Sequence, residues 1–246
     1  KMNWAWVFCA LIFMTKPQAA VYLGPIGFYG IFRYGWSWGL RAIGVALVVW
    51  AIVLSPFWIY GDLWGVFNMY LGTANVHEWL TGYAHNFWWL FEPVPPFTSD
   101  RLPILWGWNG LQIGLVVFAG ITTVVSFSLY KKTSAVSLVD ACGLVGVTLF
   151  MVLTEIHENH HYAVFLFLAL LARSKGFRWM YYILSLTFAV NLMAAKQWLE
   201  TESILEIGFL RLDTINAMIN GLAFLFWLYL FFVQQKEVNQ QDNLVS

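Results

Sequence analysis

A chain of 246 residues that is 60% hydrophobic, 19% aromatic and only 11% charged carries more apolar side chains than a soluble globule of its size can hide. Thirteen basic residues balance thirteen acidic ones, so no basic field points to nucleic acid; the two cysteines, Cys9 and Cys142, lie in apolar runs and build no disulfide scaffold. Disordered chains, coiled coils and collagen-like fibres are excluded as well, which leaves an integral membrane protein.

A helix needs about 20 apolar residues to cross the hydrocarbon core. The sequence predicts the end of one such helix from Trp4 to Thr15, then spans near 18–32, 42–60, 104–129, 135–154, 162–172, 179–195 and 212–233. The spans at 18–32 and 162–172 are short and are expected to be tilted, broken or partly crossing. Between 61 and 103 lies a long loop rich in Trp, Tyr and Pro. Trp64, Trp79, Trp88 and Trp89 in it are expected to anchor short amphipathic helices along the membrane surface. No strand-period alternation recurs. The expected fold class is therefore all-α, a polytopic transmembrane helical bundle of about seven or eight membrane helices with a long outer loop carrying interfacial helices. Residues 1–233 read as a single transmembrane domain and 234–246 as a frayed cytoplasmic tail. The chain opens in a helix already under way at Lys1, so the domain is expected to lack its N-terminal helices.

Charge placement predicts the orientation. Arg33, Arg41, Lys131, Lys132, Arg173, Lys175, Arg178 and Lys236 fall in alternate loops or the tail, which the positive-inside rule assigns to the cytoplasm. The other loops hold Lys16, Arg101, Lys196 and Arg211 and most acids: Asp62, Glu78, Glu92, Asp100, Glu155, Glu158, Glu200, Glu202, Glu206 and Asp213. All five histidines, His77, His85, His157, His160 and His161, share that side. The expectation is a multi-pass cell-membrane protein with an extracytoplasmic active face and a cytoplasmic C-terminus.

The segment from Thr154 to Tyr162, T-E-I-H-E-N-H-H-Y, is the densest polar sequence beside a span. It fits H-E-x-x-H, in which a helix would put His157 and His161 on one face to bind zinc, with Glu158 as base. It also fits H-x-x-H-H, which resembles a histidine box of membrane desaturases. Those boxes lie on the cytoplasmic side, and only His77 and His85 remain to complete a di-iron site, so that reading is rejected. A polar turn between two short spans accounts for the same residues without any metal.

Three segments resemble, in order, elements of bacterial GT-C type glycosyltransferases, in the branch of predicted mannosyltransferases related to the GPI-anchor and protein-O-mannosyl enzymes. Phe13-Met14-Thr15-Lys16-Pro17-Gln18-Ala19-Ala20 resembles their K-P-Q-A element. Asn86-Phe87-Trp88-Trp89-Leu90-Phe91 resembles N-x-W-W-L, and Thr154–Tyr162 resembles T-x-M-H-E-R-Y, with Asn159 in place of Arg and His160 in place of Tyr. The resemblance implies transfer of a sugar from a polyprenyl-phosphate donor to an acceptor on the outer face. It implies that His157 and Glu158 are catalytic and that Lys16, Gln18, Trp88, Trp89 and Arg101 bind substrate. A positive charge at Lys16 beside a helix start suits a lipid phosphate. The resemblance fixes no cofactor; Glu158 suits a divalent cation. Implied partners are membrane lipids and the polyprenyl-phosphate sugar. The family's general base is an acid in the first outer loop, ahead of this chain; Asp62, Glu78 and Glu92 are the acids available to substitute. Two further classes stay open. One is a non-catalytic subunit of a larger membrane complex, packing through small residues such as Gly110, Gly114, Gly143 and Gly146. The other is a zinc membrane protease using His157, Glu158 and His161.

Overall fold

The structure, a computed structural model, describes residues 2–73, 78–91, 98–130, 134–201, 206–207 and 210–245. Among the described residues it is about 81% helical, with nine α-helices. They are α1 (Met2–Thr15), α2 (Leu23–Tyr34), α3 (Trp36–Ile59), α4 (Leu63–Thr73), α5 (Gly110–Ser128), α6 (Ala135–Val152), α7 (Tyr162–Leu171), α8 (Lys175–Thr201) and α9 (Leu212–Val245). Four segments are long and apolar enough to cross a membrane: Trp36–Ile59, Gly110–Ser128, Ala135–Val152 and Leu212–Val233. These four suggest a membrane protein. Every expected span contains a helix, but α1, α2 and α7 are short.

Helix α6 is the axis of the core. Every residue from Asp140 to Val152 is buried, against α2, α5, α7 and α9. Small residues allow that approach. A Cβ on Gly143 would stand 2.6 Å from the Trp227 ring of α9, and one on Gly146 would stand 2.8 Å from Tyr22 Oη. Asp140, an acid inside a span, is matched by the Trp227 indole, whose Nε1 donates to Asp140 Oδ1 at 2.7 Å. The glycines expected to face other subunits are thus used within the chain. A Cβ on Gly110 would meet Leu80 at 2.3 Å, and one on Gly114 would meet the Val152 carbonyl at 2.6 Å.

Several boundaries differ from expectation. The span expected from 104 begins only at Gly110, because residues 103–109 form a hairpin of β1 (Pro103–Leu105) and β2 (Trp108–Asn109). Trp106 and Gly107 both have positive φ, which turns the chain back, and Asn109 then starts α5 with a capping box to Gln112. The span expected at 18–32 starts with a 3-10 turn, Pro17–Tyr22, before α2, as suits a proline whose missing N–H ends a ladder. Among the described residues of the 61–103 loop, α4 and a 3-10 turn at Phe87–Leu90 are the helical parts. The described remainder is extended, bridging Trp79 to Ser99 and Gly82 and Tyr83 to His157. The backbone of α9 continues to Val245. A short pair, β3 (Glu206–Ile207) and β4 (Leu210–Arg211), precedes α9.

Candidate functional site

The polar groups gather where α6 ends and α7 begins. A helix leaves its last carbonyls without intrahelical donors, and at α6 the N-x-W-W-L segment supplies them. The Trp88 indole Nε1 donates to the Val152 carbonyl at 3.0 Å, and the Asn86 amide to the Leu153 carbonyl at 3.5 Å. Asn86 also caps its own turn, accepting from Trp88 N–H at 3.2 Å. Trp88 and Trp89 are buried, and Trp89 packs on His85 with ring centroids 5.1 Å apart. Trp88 also lines an apolar cavity of about 490 Å³ with Gly114, Val152, Met218 and Leu222.

Beside this clamp, residues far apart in sequence meet. Lys16 Nζ donates to Tyr162 Oη at 3.3 Å and lies 4.5 Å from the centre of that ring. His157–His161 is not one α-helical face. His157 is the N-cap of a 3-10 turn, Glu158–His161, and its backbone N–H donates to His160 Nδ1 at 2.9 Å. Burial holds the His160 imidazole down to about 4, with His157 and the Lys16 ammonium pushing the same way. His160 is thus neutral beside a lysine, with Nδ1 accepting. His161 turns inward: it is buried, stacked on Phe150 with centroids 4.2 Å apart, and neither ring nitrogen has a partner among the described residues. The helical H-E-x-x-H geometry is accordingly replaced. Among the described residues, no three His, Cys, Asp or Glu side chains are grouped to hold a metal ion. Glu158 is half-buried at the start of the 3-10 turn, and Gln18 is exposed.

Arg101 is engaged elsewhere. Its guanidinium lies 3.4 Å from Asp100, 3.7 Å from Glu78 and 3.7 Å from Glu155. Thr154 Oγ1 donates to Asp100 Oδ2 at 2.7 Å. One cation among three carboxylates leaves negative charge over. Burial and the Asp100 charge push Glu155 up to about 7 against the pull of Arg101. Burial raises Asp100 as well, against Thr154 and Arg101. This clasp ties the 78–83 and 98–101 strands to the 154–157 turn, helped by Glu155 N–H donating to Trp79 O at 2.9 Å.

A third knot was not anticipated. His85 is buried between the loop, α8 and α9. Its N–H donates to Asn191 Oδ1 at 3.0 Å, its carbonyl accepts from Asn220 Nδ2 at 2.9 Å, and its Nδ1 accepts from Asn216 Nδ2 at 2.9 Å. Asn191 also donates to the Tyr83 carbonyl, and Asn216 to the Thr187 carbonyl. Burial pushes the His85 imidazole down to about 4, with Asp213 opposing and Arg211 assisting. The signal was in the sequence: Thr187 and Asn191, and Asn216 and Asn220, are i,i+4 polar pairs within mostly apolar stretches of α8 and α9.

Compared with known families, curated proteins and solved structures, the chain matches none. The site is therefore read from its own chemistry. It offers one ammonium, one phenol and two imidazoles at a helix boundary, bordered by an acidic clasp. His77 and Glu92 lie outside the described residues.

Proposed function

We propose that this chain belongs to a GT-C type glycosyltransferase that takes a sugar from a polyprenyl-phosphate donor on the extracytoplasmic face of the cell membrane, within a bundle of seven or eight crossings in which the short helices complete the spans about 20 residues long. The observation that carries this reading is the contact between Lys16 and Tyr162, which joins the K-P-Q element to the H-E element across 146 residues of chain. An ammonium held by a phenol, beside the neutral His160 imidazole, is a donor set for a phosphate oxygen. In this reading Lys16 and Gln18 hold the donor phosphate. His157 and Glu158 face the sugar and the acceptor, with Glu158 as the residue for a divalent cation if the reaction uses one.

The test is binding of polyprenyl phosphate to the full chain in lipid nanodiscs, followed by native mass spectrometry. Lys16→Ala weakens binding by about tenfold, the scale of one lost charge-assisted contact, and Lys16→Arg retains most of it. Binding unchanged by Lys16→Ala overturns the donor assignment. A second reading, a non-catalytic subunit of a membrane complex, is favoured by the packing roles of Trp88 and Trp89 and by the occupied charge of Arg101. Under that reading wild-type protein binds no polyprenyl phosphate and co-purifies with stoichiometric partners.

A further inference from the structure

The Pro103–Asn109 hairpin stands apart from the site, at the end of α5 that lies on the histidine face. Such a turn normally sheds apolar surface, yet this one gathers it. Leu102, Ile104, Leu105, Trp106 and Trp108 are all exposed, Trp106 to 91%. No charged residue occurs between Arg101 and Lys131. The apex is also strained: Trp106 has φ +49 and Gly107 φ +84, so a bulky indole occupies a position that a small residue fills more easily. A turn that holds an indole fully exposed at its apex calls for an environment that covers the ring.

The hairpin's covalent continuation supplies that environment. Asn109 caps α5, one of the four helices long and apolar enough to span a membrane, and its exposed Leu115, Val116 and Val117 continue the apolar surface inward from the hairpin. Between hairpin and helix is a niche of about 490 Å³ lined by Trp106, Gly107, Trp108, Gln112, Leu115 and Val116. Gln112 Oε1 is occupied by the Asn109 N–H at 3.1 Å, which leaves the amide NH2; both indole N–H groups lack an acceptor among the described residues. The niche thus combines uncharged N–H donors with an aliphatic wall. That chemistry matches the ester oxygens of a phospholipid, where the headgroup meets the chains, and indoles concentrate at this level of a bilayer.

We propose that the Pro103–Asn109 hairpin is a membrane wedge, with Trp106 seated at the headgroup–chain boundary of the leaflet on the histidine face and the niche behind it holding the ester region of one phospholipid. The occupant is lipid rather than a protein partner because the surface is continuous with the bilayer-facing side of α5. The proposal is independent of the glycosyltransferase reading.

The experiment places a bimane label at Trp106→Cys in the full chain, with Cys9 and Cys142 replaced by Ala, in phosphatidylcholine nanodiscs. Val117→Cys serves as the in-membrane reference and Lys196→Cys as the aqueous one. Lipid brominated near the ester end of its chains quenches the label at 106 more than lipid brominated near the chain ends, and aqueous iodide leaves its emission intact. Iodide quenching equal to that at 196 overturns the proposal, as does stronger quenching from the chain ends. Should the variants fail to fold, wild-type protein in the same nanodiscs is footprinted from both phases. A lipid-soluble carbene reagent labels 102–108, and hydroxyl radicals from water leave Trp106 unoxidised. Oxidation of Trp106 overturns the proposal; protection from both reagents overturns it too, by showing that protein covers the apex.

Discussion

Helices α3 and α6 are both strongly apolar, and their situations are opposite. Of the most apolar window of α6, 72% is buried within the protein; of the same window in α3, 11% is buried. The difference lies in side-chain size where helices meet. Ala141, Cys142, Gly143 and Gly146 let Trp227, Phe167 and Tyr22 close on α6. Around Gly44 of α3 there is open space, and Leu40, Ile43, Leu47 and Ile52 point outward. Lipid chains cover an exposed leucine as well as a neighbouring helix would, so apolarity alone does not rank membrane helices by burial.

The comparison breaks most readily at its two tryptophans. Trp227→Ala removes a fully buried ring and the indole N–H that reaches Asp140; by cavity cost alone this destabilises by about 3–5 kcal/mol. Trp58→Ala, at a 75% exposed position of α3, stays within about 0.5 kcal/mol. Thermal unfolding in detergent measures both, and equal losses would show that α3 is as packed as α6. Glycine substitutions come next. Gly143→Leu meets Trp227 and Phe167 below 3 Å and destabilises by about 1–3 kcal/mol, whereas Gly44→Leu leaves the same melting temperature. Smaller again is Trp88→Phe, which keeps an aromatic ring but loses the indole N–H that pairs with the Val152 carbonyl, for a loss of about 1 kcal/mol.

The pH dependence sharpens the contrast between the packed core and the clasped loop. The fold favours protonated Glu155, so its contribution is full below the ordinary glutamate value of 4.5 and is lost as pH rises through about 7. The fold favours neutral His85 and His160, so theirs is present above 6.5 and is lost as pH falls through about 4. Hydrogen exchange of the 78–83 segment reads the balance. Glu155→Gln abolishes the weakening toward pH 7 and retains the loss in acid. An unchanged profile in that variant would remove Glu155 from the clasp's titration.

Much of the helical order was legible, because each apolar run between polar breaks had to become a helix once the chain entered lipid. The beginning of α5 was misplaced by six residues because Ile104, Leu105 and Trp106 are as apolar as the helix that follows them. Only the turn at Trp106-Gly107 and the Asn109–Gln112 capping box separate the two. At the candidate site, the sequence singled out Lys16 and His157 by motif order but gave Lys16 no partner. Tyr162 closes the Thr154–Tyr162 segment, but it is 146 residues away and nothing local marks it as the partner of Lys16. For Arg101 the resemblance implied a substrate contact; its carboxylates Asp100, Glu78 and Glu155 surround it only after three segments are brought together.

By itself, then, the sequence determined solvent and secondary structure: 60% apolar residues and 11% charged ones leave a bilayer as the fitting medium, and in a bilayer backbone groups must be satisfied within helices. Tertiary structure alone decided which apolar helix became the core, which tryptophans became clamps, and which charges neutralise one another. Those outcomes depend on close approach between distant segments. A Trp227 ring seated where a Cβ on Gly143 would stand, or an indole reaching the last carbonyls of α6, leaves no periodic trace in the chain that makes it.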